Sequence, residues 1–144
     1  MQPSDRQIVM KSSAEIFAAK GKIADIFYDR LFEFAPESRA MFHGPMTRQK
    51  EMFMASLTMS LRLFGDRSKL LALVEDLGRV HAQRGLKAEH FDLGAKIFDM
   101  TIREFFGEAC TPELANAWHA AYGELTEIMK RAAAEQQDIG HSAA

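Results

Sequence analysis

The sequence predicts an all-α protein, and three observations carry this prediction. Alternating apolar and polar runs, the usual pattern of strands, are absent, and Val and Thr are sparse. Apolar residues instead recur at spacings of three and four along most of the chain, which is typical of amphipathic helices. Gly and Pro interrupt this spacing at intervals that leave only short links. We therefore expect six to seven helices and no sheet.

Helix start and stop signals divide the chain into seven expected segments. Ser4, with Gln7 three residues later, predicts a capping box at the first helix, and Thr47 is the expected N-cap of the fourth segment. The strongest start is Thr111-Pro112, a capping hydroxyl followed by proline at the first helical position. The expected segments cover about 4–19, 22–34, 36–42, 47–64, 68–82, 88–106 and the residues from 112 onward.

Length and composition are those of one globular domain. The 144 residues are enough for one core, which we expect over about 5–135 of a single domain spanning 1–144. The small polar residues 136–144 are expected to fray. A formal net charge of −2 and the lack of a basic run give no indication of nucleic-acid binding.

Neither membrane insertion nor secretion is indicated. No apolar run approaches the roughly 20 residues that a bilayer-spanning helix needs, and the first six residues lack the apolar core of a signal peptide. Cys110 is the single cysteine, so it cannot form an internal disulfide and is interpreted as a structural or surface thiol. These features favour a reducing, cytoplasmic location, although a secreted protein with one cysteine stays open.

The chain has five histidines, and their spacing does not predict a zinc site. No two of them stand at the i, i+4 spacing of a helical metal site, and no cysteine lies beside one. Glycine-rich phosphate loops and Ser-His-Asp motifs are also absent. His43 is expected in an exposed loop, His119 on the polar side of the last helix and His141 in the tail; the other two are His81 and His90.

His81 differs from the other histidines because it continues an apolar helix face. Leu70, Val74, Leu77 and His81 follow one another at spacings of four, three and four. A buried imidazole must find a polar partner. The pattern alone favours a core histidine that bonds to a backbone carbonyl, and it leaves a metal-ligand role open.

Aromatic residues are abundant, with eleven Phe in the chain. Core packing explains such a content in most proteins. A flat aromatic macrocycle would require the same kind of lining, so both interpretations remain at this point.

Three runs of residues resemble one known family in the correct order and spacing. The first is Phe27-Tyr28-Asp29-Arg30-Leu31-Phe32 with Pro36-Glu37 and Phe42; the second is Leu77-Gly78-Arg79-Val80-His81 with Gly85-Leu86 and Phe91; the third is Ala117-Trp118-His119-Ala120-Ala121-Tyr122-Gly123. Together they resemble bacterial single-domain globins and the haem domain of flavohaemoglobins over about residues 5–133. The last two runs are also similar to neuroglobin-like sequences.

The resemblance implies a globin fold around a haem b pocket and assigns a role to eight residues. His81 falls on the proximal histidine, the protein ligand of the haem iron. The remaining roles are a distal donor pair, an aromatic wedge against the macrocycle, an apolar distal residue and three proximal lining residues. The distal donor pair is Tyr28 and Gln49, the aromatic wedge is Phe42, and the apolar distal residue is Phe53. The three proximal lining residues are Leu77, Leu86 and Phe91.

Two departures from flavohaemoglobins bear on the expected activity. Phe91 and about Ala133 stand where those proteins have a proximal tyrosine and glutamate, and no flavin or nicotinamide domain is recognised in the sequence. The expected function is therefore reversible binding of O2, and of CO and NO, for oxygen storage or transport. The alternatives are an NO dioxygenase with a separate reductase, a haem-based gas sensor, or a haem-free signalling module.

The resemblance leaves monomer and homodimer open. Phe105, Phe106 and Leu125 are candidates for a dimer contact, but core packing is the expected use of all three.

Overall fold

The computed structural model describes the backbone of residues 1–143 and the side chains of residues 1–138, and it consists of helices. No strand occurs within this described part, which confirms the predicted all-α class with six to seven helices. Short 3-10 turns at Pro36–Met41 and Gly107–Ala109 join two pairs of helices. The α-helices are α1 (Pro3–Ala18), α2 (Lys22–Phe34), α3 (Met46–Arg62), α4 (Arg67–Gln83), α5 (Ala88–Phe106) and α6 (Pro112–Ala143).

The predicted capping box of the first helix is wrong. Helix α1 begins at Pro3, so Ser4 and Gln7 lie inside the helix. The backbone N–H of Gln2 donates to the Asp5 carboxylate at 3.0 Å, which satisfies a donor at the helix start. Proline at the first helical position and an acid in the first turn thus outcompete the serine signal.

The predicted N-cap at Thr47 is also wrong. Helix α3 begins at Met46, and Pro45 occupies the N-cap position with an extended backbone conformation. The Pro45 carbonyl accepts the first helical bond from the Gln49 N–H at 3.4 Å. Thr47 therefore lies in the first turn, and its hydroxyl is not needed as a cap.

Two other helix starts follow local side-chain chemistry. The Thr111 hydroxyl accepts a bond from the Leu114 N–H at 3.1 Å, which confirms the predicted start of α6. The Asp66 carboxylate caps α4 in the same way, accepting from the Lys69 N–H at 3.2 Å.

Helix α6 is the central packing element, since it contacts α1, α4 and α5. Trp118 and Leu125 of this helix are buried, and Leu114, Tyr122 and Met129 pack against the same core. The Tyr122 ring stacks on Phe98 of α5 with centroids 3.9 Å apart.

The three candidate dimer residues serve the core, as expected. Phe106 and Leu125 are buried, and Phe105 packs against the core cluster while half-buried.

Helices α3 and α4 contact each other little, and each packs mainly on another helix. Helix α4 packs on α6, and α3 packs on α2. Since α2 packs in turn on α5, the α2–α3 pair and the α4–α6 pair form two sides of the molecule joined through α5. Gln49 lies on the first side and His81 on the second.

Part of the predicted frayed tail lies outside the described residues. Helix α6 continues through Gln136 to Ala143, but the side chains of 139–144 are not described. The core boundaries and the fraying therefore stay predictions. Among the described helices, none combines the length and apolarity that crossing a bilayer requires.

Candidate functional site

His81 is half-buried near the end of α4, on the face that buries Leu70 and Val74. Its Nδ1 lies 2.5 Å from the carbonyl oxygen of Leu77, one turn earlier. A carbonyl can only accept, so Nδ1 carries the proton and donates it. The lone pair of a neutral imidazole then resides on Nε2, the nitrogen that remains available as a metal ligand.

Electrostatics keep this imidazole neutral. Burial lowers the pKa of His81 below its usual value, the hydrogen bond to Leu77 partly opposes this, and the positive charge of Arg84 lowers the pKa further. A neutral ring is the form that binds a metal. His81 can thus donate a hydrogen bond to a backbone carbonyl and also bind a metal, so the two roles expected from the sequence are compatible.

The segment that follows His81 folds back over it. Gly85 adopts a left-handed conformation (φ +90°) that lets the chain turn after α4. The Leu86 N–H then donates to the His81 carbonyl at 3.1 Å. The buried ring of Phe91, at the start of α5, lies 5.7 Å from the imidazole between centroids. Three of the predicted proximal residues, Leu77, Leu86 and Phe91, are therefore grouped around His81.

Tyr28 and Gln49 meet between α2 and α3. The Gln49 Nε2 donates to the Tyr28 hydroxyl oxygen at 2.9 Å, although 21 residues separate them in the chain. Tyr28 is buried and Gln49 is half-buried. Burial raises the pKa of Tyr28, while the bond from Gln49 and the charge of Arg84 act in the opposite direction. The phenol therefore keeps its proton at neutral pH.

Aromatic rings surround Tyr28. Phe42 and Phe53 both approach it edge-on, with centroid distances of 5.5 Å and 5.7 Å. Phe27 and Phe32 of α2 complete the cluster at 5.2 Å and 6.0 Å. The structure thus groups Phe42, Phe53 and Gln49 around Tyr28, which brings together the residues predicted for the distal side.

The charge of Arg84 affects the pKa of both Tyr28 and His81. Its guanidinium lowers the pKa of both Tyr28 and His81, so one charge is within range of the phenol and the imidazole. Arg84 is exposed just after α4. Its positive charge thus favours the neutral form of His81 and opposes the rise in the pKa of Tyr28.

These residues fit a flat, apolar group that contains a metal. His81 supplies one uncharged nitrogen, whereas a site for a bare cation would require several charged or polar ligands. Phe42, Phe53, Leu77 and Leu86 are half-buried, so apolar side chains near both groups still have surface that a macrocycle would cover.

Other parts of the described chain offer no competing metal site. His43 is exposed in a loop, and His119 is exposed with its Nδ1 2.8 Å from Asp99, as their sequence context predicts. His90 accepts from the Lys87 N–H at 2.8 Å. The described residues hold no cluster of three His, Cys, Asp or Glu that could bind a metal, and the His141 side chain lies outside them.

Two surface clefts of about 600 and 630 Å³ contain none of the predicted site residues. Charged and polar residues outnumber apolar residues among those that line each cleft. Neither cleft is lined by a histidine that could bind a metal in a macrocycle.

Sequence reasoning did not single out Gly78, Arg84 or Gln137. The Gln137 amide donates to the Leu86 carbonyl at 3.3 Å, which connects α6 to the turn after His81. Arg84 gave no signal because a single basic residue after a helix is common. Gly78 gave a weak signal of close packing, since a glycine inside a helix is unfavourable and usually has a packing reason.

Fold and site together define an all-helical protein with one neutral imidazole on α4 and a phenol–amide pair between α2 and α3. A model of the globin family matches residues 25–129. The chain belongs to the globin family, and this membership confirms the predicted haem cofactor.

Relatives of known sequence support the same family. The chain is 33% identical over 133 residues to a flavohemoprotein of Bordetella pertussis, which covers 90% of this chain and 33% of that protein. It thus spans about a third of the length of this relative. A leghemoglobin of Psophocarpus tetragonolobus is 28% identical over 146 residues, covering 88% of this chain and 94% of the leghemoglobin. The predicted similarity to flavohaemoglobin haem domains is therefore confirmed.

Solved structures share the fold. An engineered carbene transferase from Rhodothermus marinus matches with a TM-score of 0.85 at 25% identity, covering 99% of this chain and 98% of that one. A bacterial globin from Campylobacter jejuni matches with a TM-score of 0.79 at 20% identity, covering 95% and 99%. The second likeness concerns the fold alone.

Proposed function

We propose that this chain binds O2 reversibly, for storage or transport, at the iron of haem b held by His81, with Tyr28 and Gln49 as hydrogen-bonding partners of the gas. The observation that carries the proposal is the bond from Gln49 to Tyr28. Haem iron held by one imidazole supplies an open coordination position for a diatomic gas. CO and NO are expected ligands of the same position.

The direction of the Gln49–Tyr28 bond matters for ligand choice. Gln49 donates its amide proton, so the Tyr28 oxygen is the acceptor and its own proton stays free to donate. A ligand that gains negative charge benefits from such a donor by about 1.5–3 kcal/mol. CO gains less charge than O2, so the pair favours O2.

Ligand dissociation from the reconstituted protein tests this proposal. We expect Tyr28→Phe to release O2 at least about tenfold faster, the equivalent of about 1.4 kcal/mol, with a smaller change for CO. Gln49→Leu should give an intermediate effect, because it removes the group that orients the phenol. Tyr122→Phe is the matched control, since the same hydroxyl is deleted from a ring stacked on Phe98. Unchanged O2 dissociation in Tyr28→Phe would contradict the proposal.

NO dioxygenation with a separate reductase is the second candidate, and the similarity to flavohemoproteins favours it. The proximal side argues against it. The buried residues Phe91 and Ala133 offer His81 no polar side-chain partner, and the Leu77 carbonyl is the partner found among the described residues. Outer-shell partners raise the basicity of a ligating histidine. NO consumption by the O2-loaded protein with added reductase distinguishes the two functions. An NO dioxygenase would consume many equivalents of NO per haem, whereas an O2 carrier would consume one.

The remaining expectations belong to this proposal. A cytoplasmic site of action is part of the proposal and is supported by the single cysteine, which cannot form an internal disulfide. A gas sensor would use the same residues but would couple ligand binding to a partner. A haem-free module would not require a neutral imidazole whose Nε2 is available as a metal ligand.

A further inference from the structure

Gly78 brings the backbones of α4 and α6 into direct contact. A Cβ atom at this position would lie 2.5 Å from the carbonyl oxygen of Met129, 2.8 Å from its Cα and 3.0 Å from its carbonyl carbon. All three atoms belong to the main chain, so no side-chain rotation could relieve the overlap. A side chain at 78 would therefore require the two helices to separate.

Two other glycines inside the described α-helices are under no such constraint. A Cβ at Gly94 in α5 or at Gly123 in α6 would meet nothing within 4 Å. Glycine inside a helix costs about 0.8–1 kcal/mol relative to alanine. At Gly78 the close approach of Met129 gives a reason for accepting that cost, and the other two positions supply matched comparisons.

The peptide unit at this contact is also the one that orients His81. The carbonyl of Leu77 and the N–H of Gly78 belong to a single planar peptide group. That carbonyl accepts the Nδ1 proton of His81 at 2.5 Å. The Cα of Gly78, where α4 rests on α6, is thus three bonds away from the oxygen that accepts the imidazole proton.

Helix α6 makes a second contact just after His81. The Gln137 amide donates to the Leu86 carbonyl at 3.3 Å, and the Leu86 N–H donates to the carbonyl of His81 at 3.1 Å. Helix α6 therefore holds the proximal segment both before and after the histidine.

We infer that α6 positions the His81 imidazole, with Gly78 as the main positioning residue and Gln137 as the second. The inference rests on the proposed role of His81 as the iron ligand. An ordinary contact of about 3.4 Å between a Cβ at 78 and Met129 would require α4 to move by about 1 Å. Close-packed interiors transmit such a displacement rather than absorb it. The Leu77 carbonyl and the imidazole would move with the helix.

Gly78→Ala tests the inference, with Gly94→Ala and Gly123→Ala as controls. The readouts are the iron–histidine stretching band of the ferrous haem protein, O2 binding and the thermal midpoint. We expect Gly78→Ala alone to shift the band and to change O2 affinity about tenfold, the lower end of outer-shell effects. A lower thermal midpoint with an unchanged band and unchanged affinity would mean a merely structural role and would overturn the inference.

Two further outcomes keep the test decisive. If Gly78→Ala does not fold, Gln137→Ala decides: a shifted band supports positioning by α6, and an unchanged band overturns it. If the unmodified protein shows no iron–histidine band, the proposed function fails as well. If the unmodified protein shows the band and Gly78→Ala shows it at the same position, only the inference about α6 fails.

Discussion

At the residue scale, the site depends on which groups carry protons at neutral pH. Burial keeps the pKa of His81 low, so its ring is neutral, and burial keeps the pKa of Tyr28 high, so its hydroxyl stays protonated. The first condition leaves a nitrogen lone pair for a metal, and the second leaves a proton for a ligand. Both groups therefore have the protonation state that the proposed function requires.

Tyr28 should make the fold sensitive to alkaline pH. Its pKa is raised in the folded chain, so the unfolded chain loses this proton first, near pH 10. The free energy of unfolding should therefore fall as the pH rises above about 10. Urea unfolding of the haem-free chain at pH 9 and 11 measures this loss, and Tyr28→Phe should reduce it. An equal loss in Tyr28→Phe would contradict the assignment to Tyr28.

Phe53 should restrict access to the distal side. Its ring lies 4.7 Å from Phe27 and 5.7 Å from Tyr28 between centroids, in the middle of the aromatic cluster. We expect Phe53→Leu to increase the CO association rate, because the smaller side chain opens space beside Tyr28. Flash photolysis measures the rate, and Phe105→Leu, on α5, is the control. No change in Phe53→Leu would argue against crowding.

At the element scale, a hydrogen bond between buried side chains joins the first and last helices. The Trp118 indole N–H donates to the Ser12 hydroxyl at 2.9 Å, and 106 residues separate the two. Ser12 itself donates to the Ile8 carbonyl at 2.7 Å. The hydroxyl thus serves as donor within α1 and as acceptor for α6.

Ser12→Ala should destabilise the fold by about 1–3 kcal/mol, because it leaves the indole N–H buried without a partner. Ser13→Ala is the matched control: that hydroxyl is also buried, but it donates only within α1, to the Met10 carbonyl. Urea unfolding of both variants measures the difference. Equal stability of the two would show that the bond to Trp118 contributes nothing.

Elements whose signals are local were predictable from the sequence, and contacts between distant elements were not. Thr111 caps α6 as expected because cap and helix are adjacent in the chain. The predicted start of α1 was wrong because neighbouring helix-start signals competed within a few residues. The meeting of Tyr28 with Gln49 was anticipated only through resemblance to a family. The approach of Gly78 to Met129 depends on packing of helices far apart in sequence, which periodicity does not reveal.

At the scale of the whole molecule, haem should act as a part of the fold. The α2–α3 side carries Tyr28 and Gln49, and the α4–α6 side carries His81. A ligand that binds only the folded chain stabilises it by mass action. A macrocycle contacting both groups would cover their half-buried apolar side chains and hold the two sides together.

Haem addition should therefore raise the thermal midpoint. Free haem at about 100 times its dissociation constant contributes about 2.7 kcal/mol, which corresponds to about 5–10 °C for a chain of this size. His81→Ala should lose most of this gain, since the iron then lacks its protein ligand. The exposed residue His119 provides the control variant, His119→Ala. A gain that is equal in both variants would contradict the role of His81.

The optical spectrum of the reconstituted protein in its ferric, ferrous and O2-loaded forms tests the central claim most directly. We expect one haem per chain and a Soret band that shifts reversibly with O2. The His81→Ala variant should lose this spectrum, and the His119→Ala variant should keep it. A chain that takes up no haem on reconstitution, or a His81→Ala variant with the unaltered spectrum, would contradict the claim that His81 holds the iron.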